Sequence, residues 1–233
     1  MTLERVDVEN CQDRLQIVLH CARYDFVLAR LKPEQKVLEI GTGAGTFTQA
    51  LFPKCGSFVG VEYDENACDE TRRKTGNRAK IIQADARKLP FADNEFSFII
   101  CLEVLEHLGD WRAGVRNIHR CLQSDGMAIV SVPWRRIGGK SETNEHHPYE
   151  PGEQELVSVF RQLFRDVEIY YQYFEETALM TIARKIHARR LLGMAGFYAD
   201  LSAGSPSATA RLHIGKRSVG MNLGLILVAA GKK

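Results

Sequence analysis

What most constrains this chain is a rhythm. Short apolar runs recur at 36–40 (KVLEI), 57–61 (SFVGV), 79–84 (AKIIQA), 96–101 (FSFIIC) and 127–132 (MAIVSV), with helix-sized stretches between them. The runs are apolar almost throughout, the pattern of strands buried on both faces. Strands alternating with helices predict a mostly parallel sheet covered on both sides. Two later strands are expected at 166–174 (DVEIYYQYF) and 219–230 (VGMNLGLILVAA). With 233 residues, 45% of them hydrophobic, the chain can build one large domain or at most two small ones.

Helix signals fit this frame. Leu156, Val159, Phe160, Leu163 and Phe164 fall on one face of a helix. The segment RLQIVLHCARYDFVLARL, ending near Pro33, reads as a helix within an N-terminal cap over 1–33. QSDGM and KLPFADNEF read as turns. Between the last two expected strands lies a long insertion, 175–215, with the character of a lid or binding element. Its predicted helix, 177–192, carries Arg184, Lys185, His187, Arg189 and Arg190, with Leu179, Ile182 and Ile186 on an apolar stripe. Such a helix suits a solvated lid, contact with a membrane surface or lipid, or an anionic substrate.

Charge and cysteine usage narrow the partners. A formal net charge of +2 gives no case for a nucleic-acid partner. The six cysteines form no CxxC pair and no zinc-type spacing, so free thiols in a reducing cytoplasm are expected. The start, MTLERVDVEN, lacks the basic and apolar regions of a secretory signal. The longest apolar run is too short to span a bilayer.

The chemistry concentrates after the first strand, in VLEIGTGAGTF. Gly41, Gly43 and Gly45 let the chain turn sharply and let a ligand lie against bare backbone before a helix beginning near Thr46. A dinucleotide fingerprint needs G-x-G-x-x-G, and here position 46 is threonine. That spacing argues against a nicotinamide dehydrogenase. Glu62 closes the second strand, where a carboxylate can accept from both hydroxyls of a ribose. Asp85 ends the third and suits an exocyclic adenine amine; a fourth strand runs into LEVLEHL. Strand ends converging on one crevice imply an adenosine-bearing ligand without a pyrophosphate.

These pieces, with RCLQSDGMAIVSVP and ELVSVFRQLF, resemble a class I S-adenosylmethionine-dependent methyltransferase over roughly residues 36–165. The resemblance implies a doubly wound, mostly parallel seven-stranded α/β sheet of Rossmann-like form, its last strand antiparallel. It implies S-adenosyl-L-methionine as cofactor. Glu39 and Gly41 would lie by the methionine end, with Gly43 beside them. Glu62 would meet the ribose, Asp85 the adenine amine, and Cys101 or Leu102 the open side of the cofactor, with Tyr63 and Ala86 also in the cofactor-binding set. HCARYDFVLARL and NEHHPYEPGEQEL, the latter with Asn144, His147 and Glu150, resemble segments of bacterial methyltransferases of sugar, glycolipid and quinone pathways. The asparagine that such enzymes carry after the proline of SVPW is replaced here by Trp134.

Methyl transfer is an in-line displacement, so the protein mainly aligns the reactants. An oxygen acceptor also needs a base, for which His107, His146, His147 and Glu103 are candidates. His107 and His147 are the preferred catalytic pair, and Tyr24 could reach the cofactor carboxylate. His20, His119, His187 and His213 read as structural or surface residues. Asp110 and the two histidines could join a metal site, but no spacing demands a metal, and none is expected. The leading expectation is O-methylation of a small molecule entering between 133–150 and 175–215. A non-catalytic cofactor-binding module and an RNA or protein methyltransferase are the rivals.

Overall fold

The computed structural model describes residues 14–141, 144–174, 212–216 and 221–233. Eight strands form one sheet: β1 (Lys36–Ile40), β2 (Ser57–Glu62), β3 (Lys80–Gln83), β4 (Phe96–Leu102), β5 (Leu122–Pro133), β6 (Phe164–Phe174), β7 (Leu212–Gly215) and β8 (Met221–Lys232). Their order across the sheet is β3-β2-β1-β4-β5-β8-β6-β7. β1 pairs in parallel with both β2 and β4, so the winding reverses between β1 and β4. Beyond the carboxyl ends of the strands at such a reversal, the diverging loops leave a crevice.

β8 inserts antiparallel between β5 and β6, as the reversed last strand. The strand expected at 166–174 lies on β6, and that expected at 219–230 coincides with β8 from Met221 onward. The eighth strand was not expected. Leu212–Gly215 ends the 175–215 insertion and pairs antiparallel along Tyr171–Phe174 of β6. Its short LHIG alternation is masked in the sequence by the loop chemistry before it. The rest of the insertion, the 177–192 helix included, lies outside the described residues.

The apolar strands are buried on both faces, and two cores result. One face carries Leu38, Ile40, Ile99 and Val130 against α4 (Trp111–Cys121) and α5 (Glu153–Leu163) through Trp111, Val115, Leu156 and Phe160. The other carries Val37, Phe98, Ile100 and Ile226 against α1 (Arg14–Leu28), α2 (Thr48–Leu51) and α3 (Glu65–Lys74) through Tyr24, Val27, Leu51 and Cys68. Trp111 is 1% exposed, and truncation of such a residue to alanine costs roughly 3–5 kcal/mol. Asp64 and Asp110 start α3 and α4 by accepting from Ala67 N–H and Ala113 N–H, each at 3.0 Å. The helix expected from near Thr46 is only α2, four residues, followed by a 3-10 turn over Phe52–Lys54. Pro53 lacks the N–H that would continue it. No helix runs between β3 and β4, where KLPFADNEF forms turns.

The five cysteines within the described residues are free thiols. Among the same residues no helix is long and apolar enough to cross a membrane.

Candidate functional site

A cavity of about 340 Å³ opens over the carboxyl ends of β1, β2, β3 and β4. Its floor is the turn Gly41–Phe47 after β1. Gly43 has φ +55, and a Cβ built on it would meet nothing within 4 Å. The open space above that residue is therefore the cavity itself, and a side chain there would fill it. Gly45 is glycine for another reason: its Cβ would stand 2.7 Å from the Thr71 Cα on α3. The first glycine keeps the floor bare and the second lets the turn dock on α3.

Glu62 ties this floor to β2. Its carboxylate accepts from the backbone N–H groups of Gly43 (2.9 Å), Tyr63 (2.8 Å) and Asp64 (3.1 Å). Three backbone donors hold the carboxylate in one orientation at the cavity edge. Tyr63, 64% exposed, lines the rim and presents an open aromatic face. Asp85 and Ala86 line the wall after β3. The Asp85 carboxylate is held by Arg87, whose Nη2 lies 2.6 Å away and whose Nε reaches both oxygens at 3.0 Å. Those bonds hold Asp85 below the usual carboxylate range despite partial burial. Arg87 lines the cavity too, so an adenine amine would share or displace this pair.

Glu39 and Cys101 stand elsewhere than expected. Glu39 is 1% exposed and lies beneath the floor, outside the cavity lining. It accepts from the Tyr24 hydroxyl and the Thr48 hydroxyl, each at 2.7 Å. Burial pushes its carboxyl up to about 7, partly offset by those two donors. Cys101 is fully buried within the core on the α4 side of the sheet, because β4 turns alternate side chains to opposite faces. Its neighbour Leu102 lines the cavity.

The helix α1 closes the cavity from above. Tyr24 stacks on Phe47 with centroids 4.6 Å apart, and His20 stacks on the same ring at 5.7 Å. Burial, then the charge of Arg23, lowers His20 to about 3, so this imidazole is neutral. Sequence reasoning read His20 as structural or surface, yet it lines the cavity. Its place follows from sharing a helix face with Tyr24 four residues on, a signal present in the sequence.

The opposite end of the cavity is formed by Glu103, Val104, His107 and Leu108. Glu103 has φ +55, a strained position for a residue with a side chain. Its Oε1 accepts from the Ser131 hydroxyl (2.7 Å), and its Oε2 pairs with Arg23 Nη2 (3.1 Å). Arg23 is 2% exposed, and its Nε and Nη1 have no partner among the described residues. A carboxylate so engaged is poorly placed to act as a base. His107 Nδ1 lies 3.2 Å from the His146 carbonyl. His147 is buried behind His107, their rings edge to face at 4.6 Å, and is not itself part of the lining. Its Nδ1 meets Glu150 at 2.5 Å and its Nε2 meets the Asn144 amide at 3.1 Å. Arg135 also pairs with Glu150. Burial raises the Glu150 carboxyl, but the His147 and Arg135 bonds outweigh it and the net shift is downward. Asn144, His147 and Glu150 thus form one hydrogen-bonded set. Among the described residues the His146 side chain lies 3.9 Å from Glu145.

The chain is similar to known proteins in sequence and in fold. A family model described as "Methyltransferase domain" matches residues 38–130, the span that carries the floor, Glu62, Asp85 and His107. A relative from Mycobacterium tuberculosis, named a probable S-adenosylmethionine-dependent methyltransferase, is 30% identical over 164 residues, 68% of this chain and 57% of its own length. This chain thus spans little more than half of that relative. A demethylmenaquinone methyltransferase from Staphylococcus carnosus is 24% identical over 197 residues, covering 80% of this chain and 77% of its own. Among solved structures, the YcgJ protein of Bacillus subtilis superposes with a TM-score of 0.61 at 19% identity, over 92% of this chain and 99% of its own.

Proposed function

The chain belongs to the class I S-adenosylmethionine-dependent methyltransferase family, and from that premise we propose that it methylates a small-molecule acceptor, at oxygen. The observation that carries the reading is the bare floor at Gly43 latched to Glu62. The cavity volume suits a nucleoside-sized ligand. The cofactor, when bound, supplies a methyl group already activated on a sulfonium. Glu62 would hold the ribose hydroxyls, Tyr63 and Ala86 the base, and Asp85 the adenine amine. Gly41, Gly43 and Leu102 would bound the rest, and Tyr24, stacked on Phe47 and hydrogen-bonded to Glu39, would hold α1 against the floor. His107, with His147 behind it, faces the acceptor. Through them the acceptor is held and its proton drawn off as the methyl arrives. A sugar, glycolipid or quinone hydroxyl is the proposed acceptor chemistry.

The experiment is isothermal titration with S-adenosylmethionine and S-adenosylhomocysteine. Wild-type protein should bind both, and Gly43→Val, which fills the floor, should bind neither at concentrations that saturate the wild type. Circular dichroism must show the variant folded. A wild-type protein that binds neither compound ends the proposal.

A further inference from the structure

The wall behind the acceptor end contains a group that packing does not explain. Glu106 is 1% exposed, and its Oε2 has no hydrogen-bond partner among the described residues. A buried carboxylate oxygen left without a partner costs on the order of 1–3 kcal/mol or more. Glu106, His107 and His147 each bring a donor atom to the same spot, all within 4.8 Å of one another.

The two imidazoles are oriented as metal-bound histidines are. A carbonyl oxygen only accepts, so the 3.2 Å contact to His146 places the proton of His107 on Nδ1. The Glu150 carboxylate likewise keeps a proton on His147 Nδ1 at 2.5 Å. With the proton on Nδ1, Nε2 is the unprotonated nitrogen of each ring, the atom a cation would take. Ligating histidines characteristically give their other N–H to a carbonyl or a carboxylate, and Arg135 pins this carboxylate in turn. The Asn144 amide now donates to His147 Nε2, and a cation would displace that bond.

We propose that Glu106, His107 and His147 form a binding site for one divalent transition-metal cation of the zinc type, on the wall of the cavity where the acceptor sits. Two imidazoles and a carboxylate suit zinc and its neighbours better than magnesium or calcium. Small side-chain rotations bring ligands so spaced to bonding distances of about 2.0–2.2 Å. Three protein ligands leave a coordination position open, as in zinc enzymes that bind a substrate oxygen. His107 is the ligand that lines the cavity, so an acceptor oxygen reaches that position from there. The site was not expected from the sequence because Glu106 and His107 are adjacent while His147 lies on a separate loop, a spacing that matches no metal motif. It rests on its own geometry and stands whether or not the methyl-transfer reading does; with a cation bound the two imidazoles would be ligands and not bases, and the cation itself would lower the pKa of the acceptor hydroxyl.

The test begins with full-length protein stripped by a chelator and dialysed. Titration with zinc and cobalt should show one tight site per chain, and cobalt should give the visible absorption of a low-coordinate centre. His107→Ala and His147→Ala should lose the site and the absorption, while His146→Ala keeps both. Glu150→Gln, which removes the charge that anchors His147 and pairs with Arg135, should weaken binding about 10–100-fold. Circular dichroism and S-adenosylhomocysteine titration check that each variant is folded. A wild type that binds no metal above the buffer control, or histidine variants that bind as tightly as the wild type, overturns the proposal.

Discussion

The two ends of the cavity are built on different principles. The end proposed for the cofactor is made of main chain: a glycine floor, three backbone N–H groups gathered by Glu62, and strand ends that follow from the sheet's winding. The other end is made of buried and half-buried polar side chains: Arg23, Glu103, Glu106, His147 and Glu150, drawn from α1, the end of β4 and the loop before α5. Main-chain recognition tolerates change in almost any side chain. A buried polar cluster does not, since removing one member leaves another without compensation. The first end suits a cofactor common to a family, and the second suits an acceptor that differs between members.

The contrast is sharpest at the Arg23–Glu103 pair. Arg23→Ala would leave Glu103, 16% exposed at its side chain, without its cation. Breaking such a pair costs about 3 kcal/mol. The expected result is a large fall in denaturation midpoint with unchanged denaturant slope, alongside nearly normal S-adenosylhomocysteine affinity in the folded protein. A loss of cofactor affinity as large as the loss of stability would show that the two ends are not separable. At the cofactor end, Glu62→Ala should do the reverse. It frees three backbone donors and removes the proposed ribose acceptor, so affinity should drop about 30-fold, near 2 kcal/mol, with a smaller stability change. Titration calorimetry beside urea unfolding reads both quantities.

The lining of the proposed cofactor end is also the more legible in the sequence. Gly41, Gly43, Glu62, Tyr63, Asp85, Ala86 and Leu102 all line the cavity, because each sits at a fixed short offset from a strand end and the strands announce themselves. Local spacing does not reveal which face of a strand a residue takes. Hence Cys101 fell into the core and Leu102 into the cavity. Glu39 was placed near the methionine end on resemblance, but its partners Tyr24 and Thr48 hold it below the floor. At the other end, the pairing of Arg23 with Glu103 and of His107 with His147 joins segments far apart in the chain, and no single-sequence pattern records such contacts. The short β7 and the truncated α2 belong here too: one exists only because β6 offers it an edge, and the other ends at Pro53.

The smallest effect is expected where the floor meets its support. Glu39 has a folded-state value near 7, above the ordinary 4.5. Its raised value means the folded protein binds this proton more tightly than the unfolded chain. The favourable contribution is therefore full below pH 4.5 and is lost as pH rises through about 7. The Thr48 hydroxyl limits that loss by donating to the ionised carboxylate at 2.7 Å. Thr48→Val keeps the shape and removes the donor, at a residue that is fully buried. The carboxylate form then loses one of its two side-chain donors, while the protonated form, which needs them less, is affected little. Stability should fall by roughly 1 kcal/mol at about pH 8 and by clearly less at about pH 5. Urea unfolding at the two values measures it, and an equal loss at both would mean that Glu39 does not ionise in the folded protein over this range.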